Sequence, residues 1–191
     1  MAVFFNRFFA LFFFIFIFPF FFLIYIFLFI KIGNPVIFKQ PRSGRYRKIF
    51  SLYKFRTMKV DLKINEKKRF YKSLLFLRKS RLDELPQLIN IIKGDLFFIG
   101  PRPLLPEYNK LYKKKHLLRF TIMPGITGWA QVNGDNNLSW SKKFELDIWY
   151  LSNKNFFLDL KIIYMTFLFL IKKFFSNKKE KIIIERFNGK N

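Results

Sequence analysis

The chain has 191 residues, with 36 Lys and Arg against 12 Asp and Glu, a formal net charge of +24, and it is 51% apolar and 21% aromatic. That apolar content excludes a disordered polyelectrolyte, and the composition is not that of a long coiled coil. With no cysteine, a disulfide framework, a thiolate metal site and a cysteine nucleophile are excluded as well.

Residues 8–30 carry neither charge nor amide and lie between Arg7 and Lys31. As a straight helix the run is roughly 35 Å long, enough for a bilayer core. A signal peptide has a shorter apolar region and a small-residue cleavage site, and none follows residue 30. Hydropathy alone favours a single spanning anchor. Pro19 stands at the middle of the run, where it removes a backbone hydrogen bond. A break there returns both ends to one leaflet. The next stretch carries Lys39, Arg42, Arg45, Arg47, Lys48, Lys54 and Arg56. The positive-inside rule puts it in the cytoplasm, where the same cations suit anionic headgroups.

After the anchor the pattern is that of a small domain held at a surface. Residues 34–40 and 49–56 are β-branched and aromatic runs flanking the turn-like PRSGRYRK, and they predict a hairpin. Residues 59–79 read as a helix or a helix plus loop. Residues 83–93 predict a helix with Leu85, Leu88, Ile89 and Ile92 at helical spacing and Gly94 as its stop. GPRP (100–103) and PGITG (124–128) read as rigid loops. Residues 138–150 predict a helix opened by Ser139. Residues 156–175 are apolar but interrupted by Asp159 and Lys161. Their uncharged part, 162–171, is too short to span and fits a helix lying in the interface or packed under the domain. The charged tail from Ser176 is expected to be mobile.

Asp83–Glu84 is the one adjacent acidic pair in the chain. Two readings are compatible. Asp83 caps a helix whose positive end also favours Glu84, or the pair is a hard-cation site with a carboxylate nucleophile beside it. Mg²⁺ is held by one or two carboxylates plus substrate phosphates, and a carboxylate can attack phosphorus. Arg102 lies between two prolines, which suits either a preset phosphate clamp or a plain surface arginine. Lys54 and Arg56 alternate on the predicted strand and point to one face, toward phosphate or toward lipid headgroups. Trp129, Trp140, Trp149 and Tyr150 read as core or as an interfacial aromatic belt. His116 follows three lysines and reads as exposed. Zinc, P-loop, dinucleotide and Ser-His-Asp patterns are absent.

The strings YKFRTM (53–58), SRLDELPQLINIIKGD (80–95), GPRPLLPEY (100–108), PGITGWAQVNG (124–134), SWSKKFELDIWY (139–150) and LDLKI (158–162) follow one another in this order. Together they closely resemble the bacterial sugar transferases, the monotopic phosphoglycosyl transferases, over about residues 5–175. The short length and the ending FNGKN are similar to the PglC-like members. The resemblance implies an α-rich α+β fold. A re-entrant membrane helix (1–32) precedes a small cytoplasmic domain (33–175) with interfacial helices and a short β-hairpin, followed by a charged tail (176–191). It implies transfer of a sugar 1-phosphate from a UDP-sugar to a polyprenyl phosphate at the bacterial inner membrane, with release of UMP. That is the first membrane step of a glycan or glycoconjugate assembly. Mg²⁺ is the implied cofactor. Asp83 is then the nucleophile, Glu84 supports metal binding or proton handling, and Arg102, Lys54 and Arg56 hold phosphate. Pro19 marks the membrane-helix break. Partners are the UDP-sugar, with UDP-diacetylbacillosamine as the donor that the PglC-like similarity suggests, the polyprenyl phosphate and membrane lipids, with no nucleic acid expected.

Five positions depart from the family pattern. Phe18 replaces Ser before Pro19, Asn6 stands for Asp, Asp135 for the Arg of NGRN, Met123 for a basic residue and Phe120 for a frequent His. Two lost cations and a gained anion are expected to weaken phosphate binding. Two other classes remain: a catalytically weakened or inactive polybasic membrane module binding anionic lipid or a partner enzyme, and a tethered nucleic-acid binder permitted by charge alone. The acidic pair with Arg102 argues against both.

Overall fold

A computed structural model describes residues 2–59, 69, 71–134, 137–175 and 186–189. The N-terminal run forms α1 (Ala2–Ile32), a single helix of 31 residues that continues through Pro19. The expected break at Pro19 is therefore not a break in helical structure. A mid-helix proline deletes one donor, and the bonds on either side of it carry the helix past. α1 is, among the described residues, the one helix long and apolar enough to cross a membrane.

Both halves of α1 lie against the same domain. Ala10 is fully buried with Leu52, Leu88, Ile91 and Leu96, whereas Ile24 and Leu28 join Val36, Phe55, Leu74 and Leu77. Polar bonds fasten each end. Arg7 Nη2 donates to Lys93 O at 2.7 Å, and Arg56 Nη2 donates to Ile32 O at 2.6 Å and to Gly33 O at 2.8 Å. Asn6 Oδ1 accepts from Phe98 N at 3.1 Å, so the departure at this position is a docking contact. The rest of α1, including Phe4, Phe8, Phe12, Ile15, Phe16 and Ile30, is exposed. An uncovered apolar surface of this extent marks a membrane or partner contact.

The hairpin forms as predicted. β1 (Ile37–Ser43) pairs antiparallel with β2 (Ile49–Phe55), with Phe38 opposite Lys54 and Arg42 opposite Phe50. β1 runs three residues into the segment read as turn. Its reversal uses Tyr46 and Arg47, both at positive φ, the conformation that tight hairpin turns require.

The helix expected at 83–93 is two pieces. Leu82–Glu84 forms a 3₁₀ turn, and α3 (Gln87–Lys93) starts only after Pro86. Proline cannot donate in a helix interior but suits its start. The shifted start moves the inward face to Leu88, Asn90 and Ile91 and leaves Ile89 and Ile92 partly exposed. Gly94 stops α3 at φ +87, and a Cβ there would strike the Arg7 guanidinium. Before this, α2 (Leu75–Lys79) is a short helix. The remainder of the 59–79 reading at residues 60–68 and 70 lies outside the described residues.

PGITG is not only a loop. β3 (Phe97–Ile99) pairs in parallel with β4 (Gly125–Thr127). Any side chain at Gly100 or Gly125 would run into the facing backbone, and this close approach seats GPRP against PGITG. α4 (Trp129–Val132) follows. α5 (Trp140–Asn153) is capped by Ser139, whose side chain accepts from Lys142 N, as predicted. α6 (Phe156–Phe175) is one helix of 20 residues. It exposes Phe156, Phe157, Ile163, Tyr164, Phe167 and Phe174 on one side and meets β4 through a 2.7 Å Thr127–Thr166 hydroxyl contact.

Two expectations are corrected in the core. The tail is not free throughout: Phe187 is buried with Leu104, Tyr108 and Phe144, because an aromatic side chain gains more by packing than by hydration. His116 is also buried, its ring 4.8 Å from that of Phe144. Its three lysine neighbours turn outward while the helical turn directs the imidazole inward. Tyr150 is core, and Trp149 is exposed and stacked on Trp129 at 5.0 Å.

Candidate active site

The acidic pair sits on the 3₁₀ turn between α2 and α3, entered through Arg81 at φ +61. A left-handed arginine is an uncommon conformation, and it turns the two carboxylates into the domain. Asp83 and Glu84 are both buried. Neither caps a helix, so the capping reading of Asp83 fails: α3 starts too late for its side chain to serve.

Glu84 is the electrostatic centre. Its Oε1 receives Lys54 Nζ at 2.7 Å, Arg81 Nη1 at 3.2 Å and Arg102 Nη2 at 3.2 Å. Burial pushes the carboxyl pKa up, but the charges of Lys54, Arg102 and Arg81 outweigh it and hold Glu84 well below the usual carboxylate range. Asp83 behaves in the opposite way. Its Oδ1 is buried and accepts no hydrogen bond. Burial first and the Glu84 charge second push its pKa up, against Lys54, Arg78 and Arg81. Adjacent carboxyls are thus driven apart, one firmly anionic and one more basic than usual. Burial also lowers the Lys54 pKa, against the pull of Glu84.

Four consecutive carbonyls hold the Arg102 loop. Pro101 O accepts from Gly125 N at 3.0 Å and Leu104 O from Ser43 N at 2.9 Å. Arg102 O accepts from Arg119 Nη2 at 2.7 Å, and Pro103 O from Arg42 Nη1 at 3.2 Å. The preset arginine inferred from its flanking prolines therefore has a tertiary cause too.

The structure joins Asp83, Glu84, Lys54 and Arg102. It does not bring Arg56 to them. β2 ends at Phe55, and Arg56 turns to the carbonyls that close α1. Pro19 belongs to α1 and takes no part in this cluster. Asp135, expected near the nucleotide, lies outside the described residues. Phe120 is buried against Tyr112.

Sequence reasoning missed three supports. Arg119 forms a buried 2.9 Å ion pair with Asp147 while its other arm holds Arg102 O. Asn90, fully buried, accepts from Tyr53 N at 3.0 Å and donates to Ser51 O at 2.7 Å, fastening α3 to β2. Arg81, left unremarked inside SRLDELPQ, grips Glu84. A hydrophilic residue amid apolar helical positions is the one signal that marked Asn90.

No three His, Cys, Asp or Glu side chains gather as a metal cage among the described residues. Mg²⁺ does not need one, since one or two carboxylates plus substrate phosphates suffice. The unbonded, buried Asp83 Oδ1 beside Glu84 fits such a shared ion.

A family model, Bacterial sugar transferase, matches residues 1–173. The "Uncharacterized sugar transferase EpsL" of Bacillus subtilis is 50% identical over 165 residues, covering 84% of this chain and 82% of that protein. The "UDP-glucose:undecaprenyl-phosphate glucose-1-phosphate transferase" of Escherichia coli is 38% identical over 159 residues, covering 75% of this chain and 33% of that protein. The "Galactosyl transferase CpsE" of Streptococcus agalactiae is 37% identical over 156 residues, covering 71% and 34%. The chain thus matches nearly the whole of the first relative and about a third of the length of the other two. Motifs, acidic pair and family match agree over almost the full length, and the chain belongs to the bacterial sugar transferase family.

Proposed function

We propose that the protein transfers a sugar 1-phosphate from a UDP-sugar to a polyprenyl phosphate, on the cytoplasmic face of a bacterial inner membrane. The observation that carries this is the asymmetric pair: a free, buried, basic Asp83 oxygen beside a Glu84 clamped by Lys54, Arg81 and Arg102. Asp83 attacks the sugar-bearing phosphorus. The bond from that phosphorus to the bridging oxygen breaks, and UMP departs. An oxygen of the lipid phosphate then attacks the Asp83 phosphosugar, which frees the carboxylate and forms the lipid diphosphosugar.

Glu84 holds three cations in one place, and Arg102 is the most exposed of them, open to a substrate phosphate. Phosphoryl transfer depends mainly on such positioning and charge neutralisation. Mg²⁺ held by Asp83 and Glu84 would add charge neutralisation on the diphosphate. Names of relatives carry glucose and galactose, and nothing here supports diacetylbacillosamine, so the sugar is to be found with a panel of donors. Asp83→Asn is expected to abolish UMP release in the presence of UDP-sugar, polyprenyl phosphate and Mg²⁺. Retention of most turnover by that variant would sink the covalent mechanism. Loss of turnover in excess EDTA checks the metal.

A further inference from the structure

Beside Arg102 a small polar cavity is walled by Arg42, Leu52, Gln87, Pro103 and Gly125 as well as Arg102 itself. Three elements meet there: Arg42 comes from β1, Gln87 opens α3 and Arg102 stands on the GPRP loop. Neither Arg42 nor Gln87 is used in the mechanism above.

Arg42 is a cation with no anion of its own. Its guanidinium meets neutral acceptors only, Pro103 O at 3.2 Å and Gln40 Oε1 at 2.7 Å, and it makes no ion pair among the described residues. Its Nε is buried with no acceptor. Burial, and then repulsion by Arg102, lower its pKa to about 10. Gln87 is only 3% exposed, and its amide has no hydrogen-bond partner among the described residues. A buried cation is costly unless something pairs with it, and the Gln87 side chain lines the same cavity. Glu84 already serves three cations. What the wall lacks is a multiply charged acceptor. A phosphoryl group is one: it receives the guanidinium forks and the amide N–H together, and it screens one arginine from the other.

We propose that Arg42 and Gln87, together with Arg102, bind a phosphoryl group of a substrate. This rests on the transferase reading above. The phosphate belongs either to the diphosphate of the nucleotide donor or to the lipid acceptor.

Binding to the full chain in detergent separates these sources without turnover, using UDP alone and a short-chain polyprenyl phosphate alone. Arg42→Lys keeps the charge and loses the fork. Gln87→Met keeps the volume and loses the amide. Lys48→Gln, an exposed cation near the hairpin turn, is the control for bulk charge. Each of the first two variants is expected to weaken at least one probe roughly tenfold, the scale of one charge-assisted hydrogen bond, with the control unchanged. Weakened UDP binding alone assigns the donor diphosphate, and weakened lipid binding alone assigns the acceptor. Weakening of both assigns a seat used in turn. Unchanged binding of both probes in both folded variants overturns the proposal. Should Arg42→Lys lose its melting transition, the uncharged Gln87→Met decides alone. A wild-type chain that binds UDP but releases no UMP from any UDP-sugar would end the transferase reading and leave the subsite standing.

Discussion

At the scale of single residues, two neighbouring carboxyls are held at different basicities. The proposed attack on phosphorus needs Asp83 ionised, and its pKa is raised by burial and by Glu84. UMP release should therefore fall as pH is lowered through a value above the ordinary carboxylate range, near 4, read from an acid limb in kcat/KM. Stability follows the opposite sign. A carboxyl with a raised folded-state pKa favours the fold while protonated, and that contribution is lost as pH rises through the folded value. Asp83→Asn, always neutral, should have a higher Tm than the wild type above that pH, with the gap closing below it. Glu84, with its lowered pKa, contributes stability above its unfolded value and loses it only as pH falls through the lowered one. The Arg119–Asp147 pair is different in kind, since it joins two buried groups of opposite charge. Removing one partner, as in Arg119→Met, should cost about 3–5 kcal/mol, and Arg119→Met with Asp147→Leu should cost less than either change alone. Chemical denaturation of the three variants checks this. Additive losses would show that the pair is not coupled.

At the scale of elements, short pieces are held by contacts distant in sequence. The 3₁₀ turn bearing Asp83 is too brief to be stable alone. It is braced by β2 through Lys54 and by the GPRP loop through Arg102. The C-terminal segment behaves in the same way. Phe187 stacks on Tyr112 and meets Tyr108, Trp140 and Phe144 edge-on or tilted, with ring centroids 5.1–5.7 Å apart. Tyr108 lies a few residues after Arg102, so the tail covers the base of the loop that carries the clamp. Phe187→Ala should destabilise by about 3 kcal/mol, measured in urea. A change within about 0.5 kcal/mol, the size of an ordinary surface substitution, would mean that the tail does not pack in solution.

At the scale of the whole molecule, α1 decides how the domain meets lipid. Arg7 and Ile32 are both fastened to the domain that carries the site, at Lys93 and Arg56. A helix crossing the bilayer would separate its ends by roughly 30 Å of hydrocarbon, and one of them could not reach that domain. We propose that both ends of α1 stay on one face of the membrane, on the ground that both dock on the same domain. A cysteine placed at Ala2, in a chain with none, should resist an impermeant thiol reagent outside intact spheroplasts and react once the membrane is opened. Labelling from outside would establish a spanning helix. The apolar side of α6 is exposed as well, the pattern of a helix that lies in an interface.

Local pattern made much of this legible. An uncharged run of Phe, Ile and Leu has one way to fold in lipid, since the bilayer leaves every backbone group to be bonded within the helix. The β-branched runs around PRSGRYRK dictate a hairpin, and Ser139 caps α5 through its own next turn. Motif order alone identified the family, with Asp83, Glu84, Lys54 and Arg102 as its charged centre. Other features depend on groups far apart in the chain. Arg56 left the phosphate site because the end of α1 offered it two carbonyls. Proline 86 divided one predicted helix into two and freed Asp83 from capping. Only packing showed that Arg42 and Gln87 share a wall with Arg102, that Arg119 holds the Arg102 loop, and that Phe187 and His116 are buried. Periodicity reports which face of an element is apolar, but an ion pair or cavity forms where two elements meet, and that meeting depends on the packing of the whole chain.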